Sequence, residues 1–500
     1  MKYTTKHYIE YHRCPKSFYL MIQEDKNKIF QTLYRQRKIK VGDEVEKLAK
    51  QRYQGGTKVD RNIEIAIQET KQLIAKKTPI IFNGAFQYNN FYTICDVLIL
   101  KDNIYELVEI KSAISRDIFN LLKKGSKSAS ANRMMRELAF QKYILNKNHI
   151  ESKGKLLLIN QLYVRQGNLN LEKLFDEMEV EEKVASYLVE VEETLEKMEL
   201  LAKKEEPAAL VGGHCKNPIP CDYNSHCWKD IGMNSIHKIS RISDKKRLAC
   251  QQLQKNTVEE LDLEKDGIDW TQDQKNAILK IQKGRIIKNQ MMLNMKYLNR
   301  LKYPLYHLDF ETYQPTIPKY KKTSPYQDIP FQYSLHIEKK NGQLEHKEFL
   351  HTEDSDPRLH FIEALIKDLE NSNGNVVVYN KVFEAGILDA LGEAFPDYQQ
   401  QLLAIRERIF DLMIPFKDGL YYHPKMFFSY SLKAVLPALV PQLSYKNLAI
   451  QDGLQGMGQY FQLLKEKNED KRNKIKKNLL DYCKLDTLAM VEIIKVLKNR

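Results

Sequence analysis

The sequence predicts an α/β protein of two domains joined by a helical connector. The chain has 500 residues, more than one hydrophobic core ordinarily organises, so two domains are expected. Hydrophobic residues make up 43% of it, which supports globular folding throughout. Strand-like runs alternate with helical periodicity in both halves, the layer pattern of mixed α/β domains.

Residues 1–235 read as one unit. Residues 42–53 (GDEVEKLAKQRY) place Val45, Leu48 and Ala49 on one helical face, and a second helix is expected over 61–76. Strand-like runs follow at 79–85, 91–100 and 104–110. The last two are joined by Lys101-Asp102-Asn103, residues suited to a hairpin turn. A helix is expected at about 134–145, a strand at 155–164 and a long charged helical stretch over 171–204. Residues 236–302 are polar, rich in Lys and Gln and poor in Gly, the composition of a helical connector and not of a flexible linker. Residues 303–500 begin again with strands, at 305–310, 331–338 and 376–379. Helices alternate with these, and a helix over 474–498 ends the chain.

Charge and composition narrow the class. A net charge of +14 suits a polyanionic partner, nucleic acid being the usual one, although a solvated Lys-rich surface gives the same number. No apolar run is long enough to cross a bilayer, so no membrane partner is expected. The first residues, MKYTTKHYIEYHRC, have no apolar core of the kind a secretory signal needs, so a cytoplasmic location is expected. Seven cysteines in this length do not make a disulfide framework. Their clustering matters more: Cys215, Cys221 and Cys227 lie together, and Cys14 stands alone near the start.

A first acidic constellation lies on the predicted hairpin. Asp96 is on one strand and Glu109 on the next, and Lys111 follows Glu109 by two residues, hence on the same face. Two carboxylates can bind Mg²⁺ or Mn²⁺, and a lysine can orient a nucleophile and stabilise developing negative charge. The pattern resembles the PD-(D/E)XK superfamily and, within it, RecB-like nucleases, including the CRISPR-associated exonucleases of that type. The resemblance implies a restriction-endonuclease-like fold with Asp96, Glu109 and Lys111 as the catalytic set. Gln141 and Tyr143 (ELAFQKYIL) match its following helix, with a spacing of two where relatives usually have four. The upstream metal-binding His of those relatives is absent; Gly42 is followed by Glu46, with Glu44 close by, and a Glu here could ligate the metal instead.

The cysteine pattern fits the same resemblance. Several RecB-like nucleases tie their domain ends together with an iron–sulfur cluster, using one Cys upstream of the nuclease core and three downstream. Cys14, Cys215, Cys221 and Cys227 follow that order, with C-x₅-C-x₅-C spacing where relatives often begin C-x₂-C. Four thiolates suit a [4Fe–4S] cluster or structural zinc, and His214 and His226 offer alternative ligands. The expected role is structural, closing a long loop by metal coordination.

A second acidic constellation lies near the other end. Asp309 and Glu311 (HLDFET) alternate on a strand end and face the same way. Tyr482 and Asp486 (DYCKLDT) are four apart on a helix and share a face. Two metals clamping the attacking and leaving oxygens of a phosphodiester need such carboxylates, and a tyrosine hydroxyl can orient the attacking water. These motifs resemble the Tyr-containing DEDD exonucleases, which implies a ribonuclease-H-like fold. The middle motif of those enzymes, Asn followed by Phe-Asp, is matched by Asn380, Phe383 and Glu384 (YNKVFEAGIL), with Glu in place of Asp. Asp411 and the run SYSLK, residues 429–433, are expected to line the cleft.

Across essentially its whole length, the chain is similar to a bacterial family of uncharacterised function that fuses a RecB-like domain carrying cysteines to a DEDD-like domain. The expected boundaries are 1–235, 236–302 and 303–500. Two basic segments are candidates for contacting a nucleic-acid strand: residues 123–127 (KKGSK) with Arg133 and Arg136, and residues 319–322 (KYKK) with Tyr320 and Tyr326. The expected function is a Mg²⁺- or Mn²⁺-dependent nuclease, exonucleolytic and acting on DNA more than RNA. The alternatives are a single active site, or a non-catalytic nucleic-acid-binding iron–sulfur scaffold with protein partners in repair or defence.

Overall fold

A computed structural model describes residues 2–23, 33–123, 128–369 and 373–498. The chain divides into two compact units. The first comprises Met1–Asp230 together with Thr316–Tyr326, and the second Ile231–Pro315 with Gln327–Arg500. Both are mixed α/β. Among the described residues, no helix is long and apolar enough to cross a membrane.

The first unit is built on a mixed sheet. Its strands run in the spatial order Thr57–Lys58, Ile80–Tyr88, Phe91–Lys101, Ile104–Ile114, Ser152–Ile159, Phe175–Glu179, and Tyr3–Thr4 pairs in parallel with Phe91–Lys101. The hairpin closes through Asp102 and Asn103, both with positive φ (49° and 62°). That conformation matches the twist of the flanking strands, and Asp and Asn tolerate it. Alternation decides the two faces. Leu98 and Leu107 enter one core with Phe140 of the helix Ala129–Lys147, whereas Val97 and Val108 enter another with Val45 and Ala49 of the helix Leu33–Lys50.

The stretch 171–204 is not one helix. It forms a helical turn, Leu171–Leu174, the strand Phe175–Glu179, and the helices Glu181–Leu188 and Val191–Leu201. The strand pairs antiparallel with Ser152–Ile159, burying Phe175 while Lys155 bridges Glu177 (2.8 Å) and Glu106 (3.0 Å). Cross-strand charge pairing and an edge position outweigh a composition that favours helix. The strand expected over 155–164 stops at Ile159, because Asn160 turns the chain by accepting the Leu162 amide.

The second unit has a five-stranded mixed sheet in the order Leu344–Leu350, Ile329–Glu338, Leu305–Tyr313, Val376–Val378, Ile409–Asp411. The first three strands are antiparallel and the last three parallel. Leu344–Leu350 and Ile409–Asp411 were not expected from sequence; the former is largely exposed and has no buried alternation to reveal it. The helix Glu469–Lys498 lays a stripe of Ile475, Leu479, Cys483, Met490, Ile494 and Leu497 into the core. Residues 236–302, expected as a helical connector, pack with this unit: Ile236, Ile278 and Leu293 share a core with Leu305, Val377 and Met490.

Candidate active sites

The first acidic set sits where the central hairpin opens. Pairing between its two strands ends at Val97–Val108, one residue short of Asp96 and Glu109. The Asp96 carboxylate accepts the Ile110 amide (2.8 Å), replacing a ladder bond with a side-chain one. Glu109 is 4% exposed. It accepts from Lys111 Nζ (2.5 Å) and from Gln141 Nε2 (2.8 Å), and Lys111 also reaches Glu137 (3.0 Å). Burial raises the Asp96 carboxyl to about 6, with Lys111 opposing the rise. Burial and then the Asp96 charge raise Glu109 to about 8. Lys111 is held firmly protonated by the surrounding acids, which outweigh its burial.

Glu46 lies within electrostatic reach of Asp96 and helps raise its pKa. Its own carboxylate is engaged by Lys50 and Asn83, the latter in a left-handed conformation on the strand next to Asp96. Tyr143 does not join the set, since its hydroxyl donates to Glu192 (2.8 Å). Gln141 does. Sequence reasoning missed Glu137, although Glu137 and Gln141 stand four apart on one helix face and that spacing was the available signal.

The four cysteines come together. Cys14, Cys215, Cys221 and Cys227 line one small cavity with Ser17, His214 and Tyr223. His214 Nε2 lies 3.6 Å from Cys215 Sγ and also bonds Cys14, which holds both thiols below their usual pKa, Cys215 at about 7, against the burial that raises them. The Ser17 hydroxyl is 3.6 Å from Cys221 Sγ. His226 lies instead beside Glu206 (3.6 Å).

The second acidic set lines a cleft of about 520 Å³, with Asp309, Glu311, Asn380, Lys433, Tyr482 and Asp486 in its wall. Asp309 and Glu311 are two apart on the central strand. Tyr482 and Asp486 come from the buried stripe of the last helix. Glu384, on the helix Lys381–Ala394, is 2% exposed, and its Oε2 has no hydrogen-bond partner among the described residues. Asp309 is pushed well up by burial, then by Asp486, Glu311 and Glu384, so it stands at the centre of the acidic set. Burial raises Glu311 and Glu384 to about 8 and Asp486 to about 6, with Lys433 pulling Glu311 and Asp486 back.

Asn380 initiates its helix at φ 101°, and Asp411 holds this start by accepting the Asn380 (3.2 Å), Lys381 (3.1 Å) and Met413 (2.9 Å) amides. Asp411 therefore supports the Glu384 helix and is not in the cleft wall, while Ser431, Leu432 and Lys433 of the SYSLK run are. Two residues here were not singled out from sequence. The Tyr445 hydroxyl donates to Asp486, and the Cys483 thiol approaches Asp309 Oδ2 (3.6 Å). Tyr445 is forty-one positions from its partner, so no local pattern announces it.

Among the described residues, one group of three has metal-ligating atoms all within 4.8 Å of one another: Asp309, Glu311 and Cys483. Burial and the three neighbouring carboxylates keep the Cys483 thiol protonated, so the oxygens are the natural ligands for a hard cation. Of the basic segments, residues 124–127 lie outside the described residues, and residues 319–322 fall in the first unit. A family model described as a domain of unknown function (DUF2779) matches residues 306–431, a span that includes Asp309, Glu311, Asn380 and Glu384. No curated protein and no solved structure matches the chain.

Proposed function

We propose that this chain is a metal-dependent nuclease that hydrolyses phosphodiester bonds exonucleolytically in DNA, with its principal site in the second unit. The observation that carries the reading is the crowding of Asp309, Glu311 and Asp486 around one cleft, with buried Glu384 near enough to raise Asp309 and its Oε2 without a hydrogen-bond partner among the described residues. Such a set is costly unless cations occupy it. Asp309, Glu311, Glu384 and Asp486 would hold Mg²⁺ or Mn²⁺, which when bound supplies charge neutralisation at the phosphate and an acidified water. Tyr482, kept as a neutral phenol by burial and the acids, can orient that water. Lys433 lies 5.5 Å from the Tyr482 ring centroid and is available to a phosphate oxygen. The mixed sheet supports a ribonuclease-H-like reading, and the hairpin with Asp96, Glu109 and Lys111 a PD-(D/E)XK one.

The four cysteines lining one cavity support an iron–sulfur cluster, with structural zinc as the alternative. A second reading, in which only the second unit cuts, is favoured by the first site's internal pairing: Lys111 and Gln141 already engage both oxygens of Glu109.

The test is degradation of end-labelled single- and double-stranded DNA and RNA with Mg²⁺ or Mn²⁺, comparing Lys111→Ala, Asp309→Ala and the double variant. Loss of cleavage in Asp309→Ala is expected. If both single variants keep the parental rate and polarity, the assignment of both sites is wrong. Anaerobically purified protein is expected to be brown with broad visible absorption; a colourless, zinc-containing protein would overturn the cluster.

A further inference from the structure

We propose that the segment Thr316–Tyr326 is a positioning element of the first acidic site, forming one wall of the groove in which a nucleic-acid strand meets Lys111. The inference rests on reading that site as a nuclease centre.

In sequence, the segment interrupts the two strands that pair around Asp309, Leu305–Tyr313 and Ile329–Glu338, yet it belongs to the first unit. It is tightly held there. Ile317 enters the core with Val45, Val97 and Val108. Arg165 clamps the backbone from both ends: its amide donates to Thr323 O (3.0 Å), its carbonyl accepts from the Lys322 amide (2.7 Å), and its guanidinium donates to Pro318 O (3.0 Å) and Lys319 O (2.9 Å). Four bonds through one residue define a fixed strap.

The strap ends on the acidic site. The strand carrying Glu109 leaves register with Ser152–Ile159 between Ile110 and Ile114, so Lys111, Ser112 and Ala113 bulge out of the ladder. The Tyr326 hydroxyl donates to Ser112 O, the carbonyl next to Lys111. Lys111, Ser112, Ala113 and Tyr326 together line a groove of about 460 Å³, to which Lys38 and Arg133 add positive charge and Asp117 one negative charge. Arg133 Nη1 is buried with no hydrogen-bond partner among the described residues. A cationic groove beside buried acids suits a phosphate backbone, and the strap sets its width. Lys111 Nζ is itself held by Glu109 and Glu137, independently of Tyr326, so the strap should act on strand binding more than on chemistry.

The experiment uses the full chain carrying Asp309→Ala, which removes the second site's contribution, and a 5′-labelled single-stranded DNA with Mn²⁺. Arg165→Ala, which touches no groove residue, and Tyr326→Ala are each expected to raise KM about tenfold with a much smaller change in kcat, and Tyr326→Phe, which keeps the ring and the fold, to raise it about threefold. Unchanged KM in Tyr326→Phe and in either folded alanine variant overturns the strap and leaves the nuclease reading intact. A fall in kcat at constant KM overturns it as well. A parent with no Lys111-dependent cleavage removes the nuclease reading of the first site, and the inference with it.

Discussion

The two acidic sites solve one electrostatic problem in opposite ways. In the first unit, buried carboxylates are balanced by protein cations: Lys111 lies between Glu109 and Glu137, and Glu46 is tied to Lys50. In the second unit, Asp309, Glu311, Glu384 and Asp486 make no ion pair among the described residues and are helped by neutral donors, Tyr445, Cys483 and the backbone amide of Glu384, with Lys433 acting at longer range. A site balanced by its own lysine is stable and partly occupied before any ligand arrives. A site left with excess negative charge is destabilised until cations enter it, and is the better prepared to bind them.

That contrast breaks most sharply on activity. Asp309→Ala or Asp486→Asn is expected to lower single-turnover cleavage at least about a thousandfold, because the metal-holding constellation acts as a unit. A residual rate near the parental one would transfer the principal activity to the first unit. Stability should then separate the sites by sign. Lys111→Ala strands a buried, doubly acidic pair and is expected to cost about 3 kcal/mol in denaturant melts. Glu384→Gln removes a buried carboxyl that is costly once ionised, and above pH 8 should raise the melting temperature in EDTA while shrinking the further rise produced by Mn²⁺. Equal destabilisation by both variants would mean that the sites are electrostatically alike.

Smaller effects sharpen the picture. Half-buried His12 in the first unit, and buried His336 and half-buried His346 in the second, are held by desolvation at about 4, 3 and 4, below the ordinary 6.5. Each folded imidazole therefore binds fewer protons than its unfolded counterpart. Their contribution to stability is constant above pH 6.5 and falls as pH drops from there toward about 4, while the raised carboxyls of the two acidic sites act in the opposite sense over the same range. The histidine part is read by difference: the stability of the parent relative to His336→Gln should fall between pH 7.5 and 5. The smallest effect belongs to Tyr143→Phe. Its hydroxyl serves Glu192, so cleavage should change less than about twofold while stability falls by about 1 kcal/mol or less. Gln141→Ala, which strips a donor from Glu109, should do more to activity.

What the sequence by itself determined is the local chemistry. Asp96, Glu109 and Lys111 could be placed on one hairpin because strand alternation and a Lys-Asp-Asn turn are local signals, and Tyr482 and Asp486 on one face because helix periodicity is too. Cys215, Cys221 and Cys227 could be grouped by their closeness in sequence, and Cys14 joined to them through the resemblance to RecB-like nucleases. Glu137 was legible in principle from its four-residue spacing to Gln141. Only the tertiary structure decided the rest, because it depends on contacts between distant segments. Strand pairing turned Phe175–Glu179 out of a helical reading. A shared core absorbed residues 236–302 into the second unit. Packing gave Tyr143 to Glu192, brought Tyr445 to Asp486 and sent the KYKK segment to the first unit. Above all, burial separated the sites: the same acidic residue types are neutralised by lysine in one and left in mutual repulsion in the other, a difference that spacing along the chain cannot encode.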